Sequence, residues 1–205
     1  ARRRGCHEED VSLILLELGG AFSAAIAVEH GRIVDGLGGS SGPLGAMAGG
    51  ALDGEVAFLA GTVTKRMIFS GGALVVAEAH DGRAEDLAEA TTPAGQIALD
   101  AFLESAVKAV AALMVSAPSA RDVVLSGRLS RVAVIREALV GRLSQVMHGG
   151  TVDLLSGFAA VAKHAAQGAA LLADGLAGGS SASLVETLGI RQASGTVLDH
   201  LYVIT

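Results

Sequence analysis

Four glycine-centred stretches hold the residue types in this chain that could do chemistry. In the first, Glu17-Leu18-Gly19-Gly20 closes a very apolar run, and a second apolar run follows at once. Glycines at a turn between strands expose backbone N–H groups and admit an anionic oxygen where a Cβ would block it. Ser23 adds a hydroxyl just beyond, and Glu17 could hold a metal ion or a metal-bound water. The same residues also read as an ordinary hairpin with a capping glutamate. The second stretch, GGSSGPLG at residues 38–45, follows Asp35 and reads equally as a flexible linker or as a substrate-binding loop. The third, Ser126-Gly127-Arg128, lies between a predicted strand and a predicted helix. Ligands bind at such strand ends in open α/β sheets, and a helix N-terminus favours anions, although any strand-to-helix connection can contain a glycine. In the fourth, Gly168 stands inside a helical segment, where glycine costs about 1 kcal/mol relative to alanine. Close packing against another helix or a nucleotide is the economical explanation.

Other chemistries find less support. His7, His30, His80, His148, His164 and His200 show no metal-ligand spacing and read as surface or turn histidines. G-x-S-x-G is absent, and so is the G-x-x-x-x-G-K-[ST] loop of ordinary P-loop ATPases.

The elements that must position these stretches can be read from hydrophobic periodicity. Residues 11–18 form a continuous apolar run, the pattern of a strand buried on both faces. Residues 21–29 predict a second strand, and His30-Gly31 turns the chain into a third, Arg32–Asp35. Three strands joined by turns make an antiparallel meander, and residues 36–50 are loop. Residues 51–92 are less regular: ALDGEVAFLAG and RAEDLAEAT look helical, while KRMIFSGG and ALVVAEA look like strands or a buried connection.

Beyond residue 92 the pattern is clearer. Thr92 is an N-cap with Pro93 at the first helical position, and Leu99, Phe102, Leu103, Ala106, Val110, Leu113 and Met114 form one stripe. Pro118 ends that helix, RDVVLSG is a strand, and Ser130 caps a helix carrying Val132, Ile135, Leu139, Leu143 and Val146. TVDLLSG is another strand, followed by an Ala-rich helix over 158–177 that ends near Gly178-Gly179. Strands alternating with helices imply parallel neighbours in a layered α/β sheet. The tail from residue 180 could add a short helix and an extended segment.

Composition bounds the function. The 205 residues make one large domain or two small ones, and 51% hydrophobic with 18% charged residues describes a globular chain. No apolar run reaches the roughly 18 residues of a membrane span, and no signal peptide is visible. A net charge of −6 argues against a nucleic-acid surface, and 3% aromatic residues leave few stacking platforms for single strands. Arg2-Arg3-Arg4 reads as a solvated tail or linker, and the single Cys6 fits a reducing cytoplasm. The 28 glycines are about double the usual ~7% share, which implies many tight turns or close approaches. A start on Ala rather than Met reads as a fragment or a processed piece.

In this order the motifs resemble the C-terminal half of the actin-like ATPase superfamily, which includes sugar kinases, heat-shock chaperones, and acetate and butyrate kinases. The superfamily's acidic-x-Gly-Gly turn matches Glu17, Gly19 and Gly20, its strand–Gly–helix adenosine motif matches Leu125-Ser126-Gly127-Arg128, and its closing helix matches Gln167-Gly168-Ala169-Ala170. GRIVDG with GSSGPLG is similar to the butyrate and acetate kinase pattern. The whole chain is most similar to a kinase-like family labelled predicted butyrate kinase, over roughly residues 8–179.

The resemblance implies a ribonuclease-H-like three-layer α/β domain at 11–179, with a mixed sheet that begins with the meander and carries helices on both faces. Residues 1–10 would be a linker or the end of a preceding helix, 51–92 an insertion, 180–205 a C-terminal extension, and an N-terminal domain would be missing. It further implies ATP and Mg²⁺ as cofactors. Glu17 would place Mg²⁺ through water. Gly19, Gly20 and Ser23 would meet the phosphates, and Ser126, Gly127, Arg128 and Gly168 the rest of the nucleotide. Asp35 with Ser40-Ser41-Gly42 would face a small-molecule acceptor such as a carboxylate.

Glu17 stands where the superfamily usually has Asp, and Arg128 where many relatives have a second glycine; Arg128 would stack on the base or narrow the pocket. Two other readings stay open: a non-catalytic nucleotide-binding or regulatory domain, and a sugar or alcohol kinase. The implied partners are the nucleotide, the acceptor, the chain's own N-terminal domain and a second copy in a homodimer. No nucleic acid or membrane is expected, and the setting is cytoplasmic.

Overall fold

The computed structural model describes residues 1, 5–79, 81–147, 149–196 and 199. Arg2, Arg3 and Arg4, His80, His148, His200 and the end of the tail lie outside the described residues. After a 3-10 turn at Glu8–Asp10 come strands β1 (Leu13–Leu18), β2 (Ser23–Glu29) and β3 (Arg32–Leu37). A 3-10 turn (Gly39–Ser41) and three short helices follow: α1 (Gly54–Ala60), α2 (Lys65–Ile68) and α3 (Gly72–Val76). A 3-10 helix (Ala84–Glu89) leads to α4 (Pro93–Ser116), then β4 (Asp122–Ser126), a 3-10 turn (Leu129–Arg131) and α5 (Ala133–Val146). Last are β5 (Val152–Leu154), α6 (His164–Leu176) and α7 (Ala182–Thr187).

The five strands lie in the order β3-β2-β1-β4-β5. β1, β2 and β3 pair antiparallel, whereas β4 joins β1 and β5 joins β4 in parallel. The α/β architecture, with a mixed sheet opening on a meander and flanked by helices, is the one expected. His30 and Gly31, both at positive φ, make the tight turn of the second hairpin.

The core lies between the sheet and the layer of α4 and α5. Alternate residues Ile14, Leu16 and Leu18 of β1 meet Ala27, Ala25 and Ser23 of β2 on one fully buried face. Phe102, Leu103, Ala106, Val110 and Leu113 of α4, with Ile135, Leu139 and Leu143 of α5, close over that face, and Leu99 and Met114 pack at its edge. Thr92 caps α4 by accepting the Gly95 N–H at 3.0 Å, as its sequence predicts. Leu13 and Leu15 are only half-buried. The doubly buried reading of β1 is therefore corrected: one face is sealed and the other is covered incompletely.

Three further differences have local causes. KRMIFSGG and ALVVAEA contain α2 and α3, not strands. Thr64 caps α2 by accepting the Met67 N–H, and Ala73 and Leu74 donate to the Gly45 and Ala46 carbonyls, each at 2.9 Å. Ser130 does not cap α5, whose N-cap is Val132; its hydroxyl instead donates to the Gly127 carbonyl at 2.8 Å. The Ala-rich helix begins at His164 rather than 158, because the preceding residues are folded back onto Gln167.

Candidate functional site

The parallel pairing of β1 with β4 brings distant stretches together. Glu17 is the register partner of Ser126, so the two strands end side by side at one edge of the sheet. Beyond those ends lies a cleft of about 780 Å³, lined by Glu17, Gly19, Gly20, Ser126, Gly127 and Arg128 together with the 159–165 segment. A smaller cavity of about 380 Å³ adjoins it, sharing Ser126 and Gly127 and continuing past Ser130, Leu154 and Gly157. Volumes of ~300–1,000 Å³ are typical of small-ligand sites.

One residue sets the spacing between the two strand ends. Gly127 has φ +89°, and a Cβ there would fall onto the Leu18 carbonyl and lie 2.9 Å from Glu17 Oε1. Only glycine allows β4 to leave the sheet so close to the end of β1. The Ser130 hydroxyl then closes this turn.

The hairpin turn forms the second part of the cleft. Gly19 donates its N–H to the Phe22 carbonyl at 3.2 Å, so this amide is taken up by the turn. The amides of Gly20 and Ala21 meet no acceptor among the described residues. These, rather than Gly19, are the donors the turn offers to an anion. The turn is braced from outside, because the Ala21 carbonyl accepts from Met47 and Ala48 at 2.8 and 3.0 Å. Phe69, next to α2, tilts against Phe22 with ring centroids 6.4 Å apart.

Charge in the cleft is mostly positive although the chain carries −6. Arg128, Arg131 and Lys163 line it beside a single carboxylate, Glu17, with His164 at its edge. Arg128 Nε forms an ion pair with Glu85 Oε1 at 2.8 Å, and Arg128 Nη2 lies 3.0 Å from where a Cβ on Gly20 would be. The Arg128 side chain is 58% exposed, so this ion pair contributes only ~0–1 kcal/mol to folding. Arg128 borders the larger cavity and not the smaller one, which puts its guanidinium beside the glycine turn.

The remaining wall was not legible as a site. Gln167 is buried, and its Oε1 accepts from Phe158 and Ala159 at 2.7 and 3.1 Å. Its Nε2 donates to the Ala159 and Ala162 carbonyls at 3.0 and 2.7 Å. One side chain thus folds the 157–162 loop into the cleft wall. A polar residue on the inner face of an otherwise apolar helix was the available signal.

Several candidates lie elsewhere. Ser23 is fully buried on the sealed face opposite Leu18 and does not line the cleft. Asp35 is level with Ala27 and hence with Ile14, three residues or roughly 10 Å short of Glu17 along the sheet. Its carboxylate accepts from the Ser116 hydroxyl at 2.6 Å and the Gly36 N–H at 2.7 Å. These bonds, the Ser116 one foremost, hold its pKa below the ordinary value and tie β3 to the end of α4. Ser40 and Ser41 are exposed and Gly42 packs on Gly38; none lines the cleft, which their loop reaches only through Met47. Gly168 is exposed with nothing near its Cβ position, on the helix face of His164 and Ala165. The tightly packed glycine of α6 is Gly175, where a Cβ would meet Val185 Cγ2 at 2.6 Å.

No helix among the described residues is long and apolar enough to cross a membrane. No curated protein matches the chain in sequence. Solved structures match in fold. An acetate kinase from Entamoeba histolytica aligns with TM-score 0.60 and 18% identity over 70% of this chain and 41% of its own. A propionate kinase from Francisella tularensis subsp. tularensis SCHU S4 aligns with TM-score 0.57 and 18% identity over 70% and 46%. Porphyromonas gingivalis acetate kinase aligns with TM-score 0.60 and 16% identity over 71% and 40%. The chain spans less than half the length of each, and at such identity the likeness establishes the fold alone. A family model described as "Protein of unknown function (DUF1464)" matches residues 1–203, and the chain belongs to that family.

Proposed function

We propose that this chain is the nucleotide-binding half of an ATP-dependent small-molecule kinase. The observation that carries the reading is the Glu17–Ser126 register, which sets a turn with open amides against a strand end whose glycine cannot be replaced. Gly20 and Ala21 amides with Arg131 and Lys163 would bind the phosphates, and the smaller cavity past Gly127 and Ser130 would take the adenosine. A cleft lined by cationic side chains, open amides and one carboxylate fits Mg·ATP, since Mg²⁺ commonly uses one or two carboxylates plus phosphate oxygens and waters. Glu17 would hold Mg²⁺ through water, and the metal would neutralise charge on the transferring phosphoryl group.

The fold shared with acetate and propionate kinases favours a carboxylate acceptor, in line with the butyrate-kinase resemblance. In this reading a preceding domain supplies the opposite wall of the cleft and the chain alone is inactive, because transfer needs both reactants held in line. ATP as substrate implies a cytoplasmic setting. The Glu at position 17, one methylene longer than the usual Asp, favours as second reading a domain that binds nucleotide without transferring phosphate. Calorimetry of the intact protein should register Mg²⁺-dependent ATP binding, and a panel of short carboxylates, sugars and alcohols should reveal the acceptor. Binding without turnover on any acceptor would select the second reading; absence of ATP binding would end both.

A further inference from the structure

We infer that Arg128 is a phosphate-binding side chain and that Glu85, from the 51–92 segment, is its positioning residue. The inference rests on the nucleotide reading of the cleft and adds to it the part played by a segment outside the sheet.

Nε of Arg128 is ion-paired with Glu85 Oε1, at 2.8 Å. This contact holds the guanidinium at the cleft, where its Nη2 is laid against the Gly20 position. Among the described residues no hydrogen bond from Nη1 or Nη2 is formed, and Nη2 stands beside Gly20, whose amide is open. An arginine fork held at one edge with its other donors free suits bidentate binding of phosphate oxygens. Gly20 itself explains the approach, since a Cβ there would sit 3.3 Å from Arg128 Cζ.

Glu85 is itself well placed for the task. It lies in the 3-10 helix Ala84–Glu89, where Ala84 and Leu87 are buried in the core. Its Oε2 is buried without a hydrogen-bond partner, and the Arg83 Nε is 3.7 Å away. The segment that carries this carboxylate is therefore anchored while the arginine it holds is largely exposed. A pair this exposed adds little to folding stability, so its consequence is orientation. Stacking on the base, the alternative use of Arg128, fits less well, because Arg128 does not border the smaller cavity beside Ser130 and Gly157.

The test is calorimetric titration of the intact protein with Mg·ATP, adenosine and magnesium tripolyphosphate. Arg128→Ala should weaken Mg·ATP binding about tenfold or more and leave adenosine affinity unchanged. Glu85→Ala should weaken Mg·ATP by a smaller factor, and the double variant should bind no worse than Arg128→Ala alone. Arg128→Lys, which keeps the charge but has no guanidinium fork to orient, should make binding less sensitive to Glu85→Ala. Equal losses for ATP and adenosine, or no loss for ATP, would overturn the role of Arg128. Additive losses would overturn that of Glu85. Circular dichroism identifies a variant that fails to fold, in which case Arg128→Lys decides. If the wild type binds neither ATP nor adenosine, the nucleotide reading fails separately. The Arg128 inference then stands or falls on whether tripolyphosphate binding still depends on this side chain.

Discussion

The two walls of the cleft are held by different means. The wall at residues 19–21 is backbone braced by backbone: Gly19 bonds Phe22, Ala21 takes two amides from the 47–48 loop, and Gly127 turns against Leu18. The wall at residues 157–162 is held by one side chain, with Phe158, Ala159 and Ala162 all bonded to Gln167. The first arrangement is insensitive to most side-chain changes but admits no Cβ at its closest approach. The second can be released by a single truncation.

Gly127→Val should have the largest effect. It forces a β-branched residue to a positive φ and drives its Cβ into the Leu18 carbonyl, so a loss of about 3 kcal/mol or more is expected. Urea unfolding measures it, and an unchanged midpoint would mean the strand ends are not in contact as described. Gln167→Ala should cost less, about 1–3 kcal/mol, since each lost hydrogen bond is modest and the loop can partly reach water. The difference between the walls lies in where the damage falls. Hydrogen exchange should quicken at Phe158 and Ala159 while β1 and β4 keep their protection. Retained protection at those two amides would show that the second wall is braced by more than Gln167.

Thr92→Ala gives a reference that touches neither wall. Loss of the cap on α4 should lower stability by about 1 kcal/mol across the whole fold. Exchange should then rise uniformly rather than at one wall.

The first wall was far more legible than the second. Glu17, Gly19, Gly20 and Gly127 stand out because glycine at a strand end has a conformational meaning that holds without knowledge of the partner. The helix caps are equally local, which is why Thr92 and Pro93 place α4 correctly. Gln167 carries no such mark, since its importance lies in four bonds to the backbone of Phe158, Ala159 and Ala162, whose side chains take no part in them. The 51–92 segment defeated periodicity for a related reason. Its helices are too short for a 3.6-residue repeat to show, and its Val56, Val75 and Val76 are exposed while Ala73 and Leu74 bond the 45–46 carbonyls and Phe69 meets Phe22. Asp35 illustrates the reverse case. A carboxylate beside a glycine loop looked chemical, but register places it on the edge strand, three residues short of Glu17, where it bonds Ser116.

That placement of Asp35 yields the smallest effect and a clean control for both walls. Its folded-state pKa lies below the ordinary aspartate value because the Ser116 hydroxyl and then the Gly36 amide favour the carboxylate. A depressed carboxylate stabilises the fold above its unfolded pKa, near ~3.9, and the contribution disappears as pH falls through the lower folded value. The group is highly exposed, so solvent screening limits the contribution to about a few tenths of a kcal/mol. Asp35→Asn and Ser116→Ala should each flatten the melting-temperature profile slightly below about pH 4 and leave neutral-pH nucleotide affinity unchanged. A changed affinity would mean that the β3 edge communicates with the strand ends, and the two walls would then no longer account for the site by themselves.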